Sequence, residues 1–148
     1  MASAMARQPK RSGRCLCGAV TFDMEPAEQH FDACHCGMCR RWAGGPALTV
    51  KAAVPPDITG ATEIAVYKSS DWGERHFCRK CGTHLFVAAP AFDYFGVSMG
   101  ALDDPSGLDF KLEIFVDCKP SSYDFANDTT RLTEAQFLEM VAGSAQKD

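Results

Sequence analysis

The sequence predicts a mainly β fold closed by one helix at its C-terminal end. Short β-branched and aromatic runs recur between Pro, Gly and Asp turns, and a single stretch near residue 133 carries helix-start chemistry. Eight cysteines gathered in short-spaced clusters add staples that such small sheets can use. At 148 residues, with 46% hydrophobic and 23% charged residues, the chain is long enough to bury a real core.

Taken in order, residues 1–12 are expected to form a flexible basic arm, ahead of a single domain over residues 13–148. The first fourteen residues carry all their charge as Arg7, Lys10, Arg11 and Arg14 and hold no apolar block suited to a secretory signal. Strands are then expected at Ala19–Phe22, Pro46–Val50, Glu63–Lys68, Glu74–Phe77, Leu85–Ala88, Tyr94–Met99 and Phe110–Val116. In the last of these, Phe110, Leu112, Ile114 and Val116 alternate with Lys111 and Glu113 on the opposite face. Val54-Pro55-Pro56-Asp57, Ser69 to Gly73 and Asp103 to Gly107 are turn chemistry between them.

The helix is signalled by a capping box, with Thr133 as N-cap and Gln136 at the third position. Leu132 and Phe137 can form its hydrophobic staple, Gly143 stands where a left-handed C-terminal residue belongs, and Phe137, Leu138 and Val141 make its apolar stripe. No internal repeat or low-complexity tract is present.

Charge and composition exclude several classes of partner. A formal net charge of −4 argues against general nucleic-acid binding, since phosphate-reading domains are usually basic. No apolar run approaches the roughly 18 residues of a membrane span. Clustered cysteines imply a reducing compartment, and the cytoplasm is the expected location.

Cys34-His35-Cys36-Gly37-Met38-Cys39 puts three thiols into one tight turn with the spacing Cys-x-Cys-x-x-Cys. Thiolates this crowded repel one another unless a soft cation sits between them, and Zn²⁺ is the usual occupant. Cys15-Leu16-Cys17-Gly18 lies upstream, and Cys78-Arg79-Lys80-Cys81-Gly82 downstream has the form of a zinc knuckle. The simplest partition gives Cys15, Cys17, Cys78 and Cys81 to one closed structural zinc and leaves Cys34, Cys36 and Cys39 as a site with an open position. Spacing does not decide this partition, because any two of the three clusters could share an ion. A disulfide framework is the alternative; against it stand two Cys-x-Cys pairs, too short to bridge internally without strain, and the expected lack of a secretory leader. An all-thiolate site also suits iron, which would colour the protein.

These motifs carry a resemblance. Gly13-Arg14-Cys15-Leu16-Cys17-Gly18-Ala19-Val20, then Cys34 through Arg41, Tyr67-Lys68-Ser69-Ser70, Arg75 through Phe86, Gly100 through Pro105 and Ile114-Phe115-Val116 follow in that order. From about Gly13 to Pro120 the chain resembles the glutathione-dependent formaldehyde-activating enzyme family, also called centromere-protein-V-like. The resemblance implies a β-tent of antiparallel sheets, a structural zinc on Cys15, Cys17, Cys78 and Cys81, and a second, open zinc on Cys34, Cys36 and Cys39. It alone fixes which pairs combine.

The implied activity is that of a carbon–sulfur lyase. Zinc with an open position lowers the pKa of a thiol, here that of the co-substrate glutathione, which adds to formaldehyde or a similar small carbonyl. Cys34, Cys36 and Cys39 are then the catalytic residues. Arg40 and Arg41 follow the open turn and are candidates to steer the anionic tripeptide, with Trp42 as a stacking surface or a roof over the turn.

Other residues are read more plainly. His35 lies between two ligands, and its side chain is expected to point away from the metal. His76 and His84 flank the knuckle as sheet histidines, with a hydrogen bond from His76 to a thiolate as a further option, and His30 has no recognisable partner. Arg75 resembles a recurrent family arginine and pairs with an acidic group if it is structural. Cys118 reads as small packing, although it is the spare thiol able to close the open zinc. The chain departs from the family pattern at Glu113, where many relatives carry histidine, and at Ser122, where tryptophan is common. Two other readings stand beside the glutathione enzyme. One is a same-fold enzyme with a different thiol or carbonyl substrate, and the other is a non-catalytic zinc-stabilised binding module whose second metal is closed by Cys118 or a histidine.

Overall fold

The computed structural model describes residues 8–145. Its strands are β1 (Arg11–Arg14), β2 (Thr21–Met24), β3 (His30–Cys34), β4 (Ala47–Lys51), β5 (Asp57–Thr59), β6 (Ile64–Lys68), β7 (Glu74–Cys78), β8 (His84–Ala89), β9 (Tyr94–Ser98), β10 (Asp109–Ile114) and β11 (Thr130–Leu132). Two α-helices join them, α1 (Gly37–Ala43) and the C-terminal α2 (Glu134–Ala145). The fold is mainly β, as the short β-branched runs imply. The described chain divides into two compact units, one of residues 8–30 with Val50–Leu108 and one of Phe31–Thr49 with residues 109–145. No helix among the described residues is long and apolar enough to cross a membrane.

The first unit holds a three-stranded antiparallel sheet in the order β1-β2-β5. It also holds an antiparallel meander, β6-β7-β8-β9. Strand β8 lies between two partners, and Leu85, Phe86, Ala88 and Ala89 are all buried, so its run is apolar rather than alternating. Phe86 meets Phe22 edge-on with ring centroids 5.1 Å apart and Phe95 at 5.0 Å, which ties the meander to the small sheet. Gly13 is required where the sheet closes, because a Cβ there would lie 2.3 Å from the Phe22 ring and 2.6 Å from the Ala101 carbonyl oxygen. Strand β1 takes Arg11 and Ser12 out of the expected basic arm by pairing them with Met24 and Asp23. The rest of that arm through Arg7 lies outside the described residues.

The second unit is a sheet in the order β11-β10-β3-β4. Strands β3 and β4 are antiparallel, but β10 and β11 run parallel, with Leu112 opposite Thr130. This sheet is therefore mixed, not all antiparallel, because the chain crosses over through residues 115–129 before returning alongside β10. Phe31 stacks on Phe110 at 4.8 Å, and Phe110 meets Phe125 at 5.0 Å.

Helix α2 opens with the expected reciprocal cap. The Thr133 N–H donates to Gln136 Oε1 at 2.9 Å and the Gln136 N–H donates to Thr133 Oγ1 at 3.2 Å. Gly143 does not end the helix, which continues to Ala145. Leu138 is 52% exposed and so leaves the predicted stripe, while Phe137 packs on the Phe115 ring at 5.6 Å.

Candidate functional site

Two chain turns build the four-thiol cluster. In the first, the Gly18 N–H bonds the Cys15 carbonyl at 3.1 Å; in the second, the Gly82 N–H bonds the Cys78 carbonyl at 2.8 Å. Both glycines sit at positive φ, 80° and 79°, a conformation that costs other residues strain. The Sγ atoms of Cys15, Cys17, Cys78 and Cys81 lie within 4.8 Å of one another. A tetrahedron with Zn–S bonds of about 2.3 Å has edges of about 3.8 Å. The Cys15–Cys17 and Cys17–Cys78 sulfurs are 3.6 and 3.8 Å apart, the edge length of such a tetrahedron, so the donor set suits zinc. All eight cysteines are free, so no disulfide framework forms.

Thr83, which sequence reasoning left without a role, completes this cluster. Its hydroxyl accepts the Leu16 N–H at 2.9 Å and lies 3.2 Å from Cys81 Sγ, joining the two turns. That hydroxyl, with the Thr83 N–H behind it, lowers the Cys81 thiol to about 5. Burial opposes ionisation of Cys15, but the Val20 N–H and neighbouring thiols outweigh it and its pKa falls below the ordinary thiol value.

The three-thiol cluster forms where strand becomes helix. Cys34 ends β3, Cys36 is the N-cap of α1, and Cys39 lies buried in the first turn. Helix α1 was not expected from the sequence: it has only seven residues and begins at Gly37, too short to show a periodic stripe. Cys36 Sγ does the work of a capping hydroxyl, accepting the Cys39 N–H at 3.3 Å. Gly44, at φ 80°, closes the helix by bonding the Arg40 carbonyl. The Sγ atoms of Cys34, Cys36 and Cys39 lie within 4.8 Å of one another.

Charge concentrates on the central sulfur. The thiols of Cys34 and Cys39, and the N–H groups of Cys39 and Met38, hold the Cys36 thiol down at about 2, whereas Cys34 is pushed far up by the sulfurs of Cys36 and Cys39. A thiolate with two further thiols beside it is a donor set for a soft cation. No other His, Cys, Asp or Glu among the described residues joins the group, Cys118 and the histidines included.

His35 turns away from the sulfurs, but it is buried rather than superficial, at 0% exposure. Its Nε2 is 2.8 Å from Glu113 Oε1 and its Nδ1 2.8 Å from the Tyr123 hydroxyl. The alternation of β10 puts Glu113 on a polar face with Lys111, and this is corrected: Lys111 is exposed, while Glu113 is 1% exposed. Its burial is tolerated because Oε2 accepts from the Thr129 hydroxyl at 2.6 Å and from Arg131 Nε at 3.2 Å. Burial alone raises a carboxyl pKa, but Thr129, His35 and Arg131 together bring Glu113 below the ordinary value. Tyr123 is shifted up, chiefly by burial.

The remaining candidates divide. Arg40 directs its Nε to the His35 carbonyl at 3.0 Å, so it braces the turn. Arg41 is exposed and Trp42 half-buried. Arg75 is buried, and its Nε donates to the Ser69 hydroxyl at 3.2 Å. His76 Nε2 lies 3.2 Å from Glu74 Oε1, with its ring against Phe86 and Phe95, as a sheet histidine. His84 is shifted down by burial and by the Arg75 charge. His30, expected to lack a partner, lies 3.2 Å from Glu28 Oε2.

Known proteins resemble this chain. A family described as glutathione-dependent formaldehyde-activating enzyme matches residues 10–118. An uncharacterized lyase of Schizosaccharomyces pombe is 28% identical over 134 residues, covering 90% of this chain and 98% of its own. A Halomonas elongata protein, named provisionally as a glutathione-dependent formaldehyde-activating enzyme, is 34% identical over 87 residues, covering 53% of this chain and 55% of its own. A crystal structure of a Rhodobacter sphaeroides protein superposes with a TM-score of 0.57 at 21% identity, covering 82% of this chain and 99% of that one, and shares the fold. The chain belongs to the glutathione-dependent formaldehyde-activating enzyme family.

Proposed function

We propose that this protein is a zinc-dependent carbon–sulfur lyase that joins glutathione to formaldehyde or a similar small carbonyl. The observation that carries the reading is the contrast between its clusters: four sulfurs that close a tetrahedron, and three that leave one position for a substrate. A binding module with two closed metals would need a fourth ligand at the turn, and among the described residues none joins it.

Zinc held by Cys34, Cys36 and Cys39 would supply an acceptor for one further sulfur and favour its thiolate at neutral pH. In the forward direction the glutathione sulfur would form a bond to the carbonyl carbon as the carbonyl π pair moved to oxygen, and the proton given up by the thiol would pass to that oxygen to give an S-hydroxymethyl adduct. The reverse breaks the carbon–sulfur bond. The chain's own residues hold the geometry: the Cys39 N–H fixes the Cys36 sulfur, and Arg40 fixes the backbone between Cys34 and Cys36. Arg41, exposed on the same helix, and Trp42 beside it are the groups we assign to the glutathione carboxylates and backbone.

The test is exchange of ¹³C-formaldehyde with its glutathione adduct, followed by NMR at increasing protein concentration. The expected result is exchange above the spontaneous rate that grows with protein and returns to background in Cys36→Ala. Exchange that ignores both the protein and the substitution would overturn the assignment.

A further inference from the structure

Residue 35 is the single link between two of the three sulfurs, and every polar atom it owns is engaged. Its N–H donates to the Ile114 carbonyl at 3.1 Å, its carbonyl accepts from Arg40 at 3.0 Å, and its ring nitrogens meet Glu113 and Tyr123, each at 2.8 Å. Glu113 in turn holds Thr129 and Arg131. The Phe125 ring lies 5.9 Å from the imidazole, and Lys119 Nζ holds the Tyr123 carbonyl at 2.5 Å. Tyr123, Phe125, Thr129 and Arg131 come from the crossover strap and the strand after it. The family match ends at residue 118, before all of them.

A buried imidazole and a buried carboxylate are unfavourable unless fully bonded, and a loose pair here would cost stability with no apolar gain. Fully bonded, they remove the torsional freedom of residue 35. A turn whose link is already fixed presents Cys34 and Cys36 to a cation without an ordering cost at the moment of binding.

We propose that His35 is the positioning residue of the three-thiol turn, and that the strap over residues 119–131, through Tyr123 and Glu113, sets how tightly that turn holds its metal. The inference rests on the open-site reading given above. By linkage, metal at the turn and order in the strap stabilise each other to the same degree.

The experiment uses the full chain loaded with zinc, with each site's affinity read by competition with a chromophoric chelator, and cobalt(II) as a spectroscopic substitute. Tyr123→Phe removes one hydroxyl and leaves the ring. It is expected to weaken metal at the turn roughly tenfold and to change the cobalt–thiolate absorption. The Cys15, Cys17, Cys78 and Cys81 site is expected to keep its affinity, as an internal control. Amide hydrogen exchange across 119–131 should slow on loading the turn in the wild type and slow less in the variant. Glu113→Gln is the second probe; if it fails to fold, Tyr123→Phe decides alone. Two metals in the wild type with unchanged affinity at the turn in Tyr123→Phe would overturn this inference and leave the enzyme reading standing. Equal weakening at both sites would also overturn it, as general destabilisation. A wild-type chain that binds a single metal would overturn the open-site reading and this inference together.

Discussion

Glu113 concentrates the electrostatics of the second unit in one side chain. Its folded pKa is depressed, so its contribution to stability is complete above the ordinary glutamate value of 4.5 and is lost as pH falls below that through the folded value. Stability of the wild type is therefore expected to fall more steeply below pH 4.5 than that of Glu113→Gln, measured by denaturant titration at several pH values. Acid also releases metal from thiolates, so both proteins are compared in a Cys36→Ala background that lacks the metal of the turn, and the difference then isolates Glu113. Parallel acid limbs would contradict this account. Gly60 makes a second prediction at this scale. It sits at φ 84°, and a Cβ would approach the Ala19 carbonyl oxygen to 2.1 Å. Gly60→Ala should cost about 2 kcal/mol or more, since left-handed strain and a backbone clash act together and no flexible side chain can yield.

Helix α2 depends on local chemistry that can be removed one atom at a time. Thr133→Ala deletes the hydroxyl that accepts the Gln136 N–H and should cost about 1 kcal/mol, read as a lowered denaturation midpoint with unchanged slope. That cap was legible in the sequence because both partners lie within four residues. The same holds for most first-unit strands, whose apolar runs are bounded by turns. What was not legible depends on distant partners. Strand β11 has three residues and is defined by pairing with β10, and α1 is a seven-residue helix of about two turns organised by its own cysteines. The grouping of cysteines could be argued from spacing and resemblance. The burial of Glu113 could not, because alternation assigns it to solvent and its partners Thr129 and Arg131 lie sixteen and eighteen residues away. The signal available was its departure from the family pattern beside a histidine lodged between two ligands.

For the whole molecule, the proposed function requires two metal sites with different coordination, one at the cysteine cluster of each unit. The four-thiol set joins chain segments about sixty residues apart, as the 61-residue separation of Cys17 and Cys78 shows, so loss of its metal is expected to unfold the surrounding turns. The three-thiol set spans six residues between a strand and a helix, so its loss should leave most of the fold intact. The most direct measurement is the zinc-to-protein ratio of the purified chain by elemental analysis, repeated on Cys36→Ala and after addition of glutathione. The account predicts two zincs in the wild type and one in the variant, with glutathione perturbing only the second site. One zinc in both proteins, indifferent to glutathione, would contradict it.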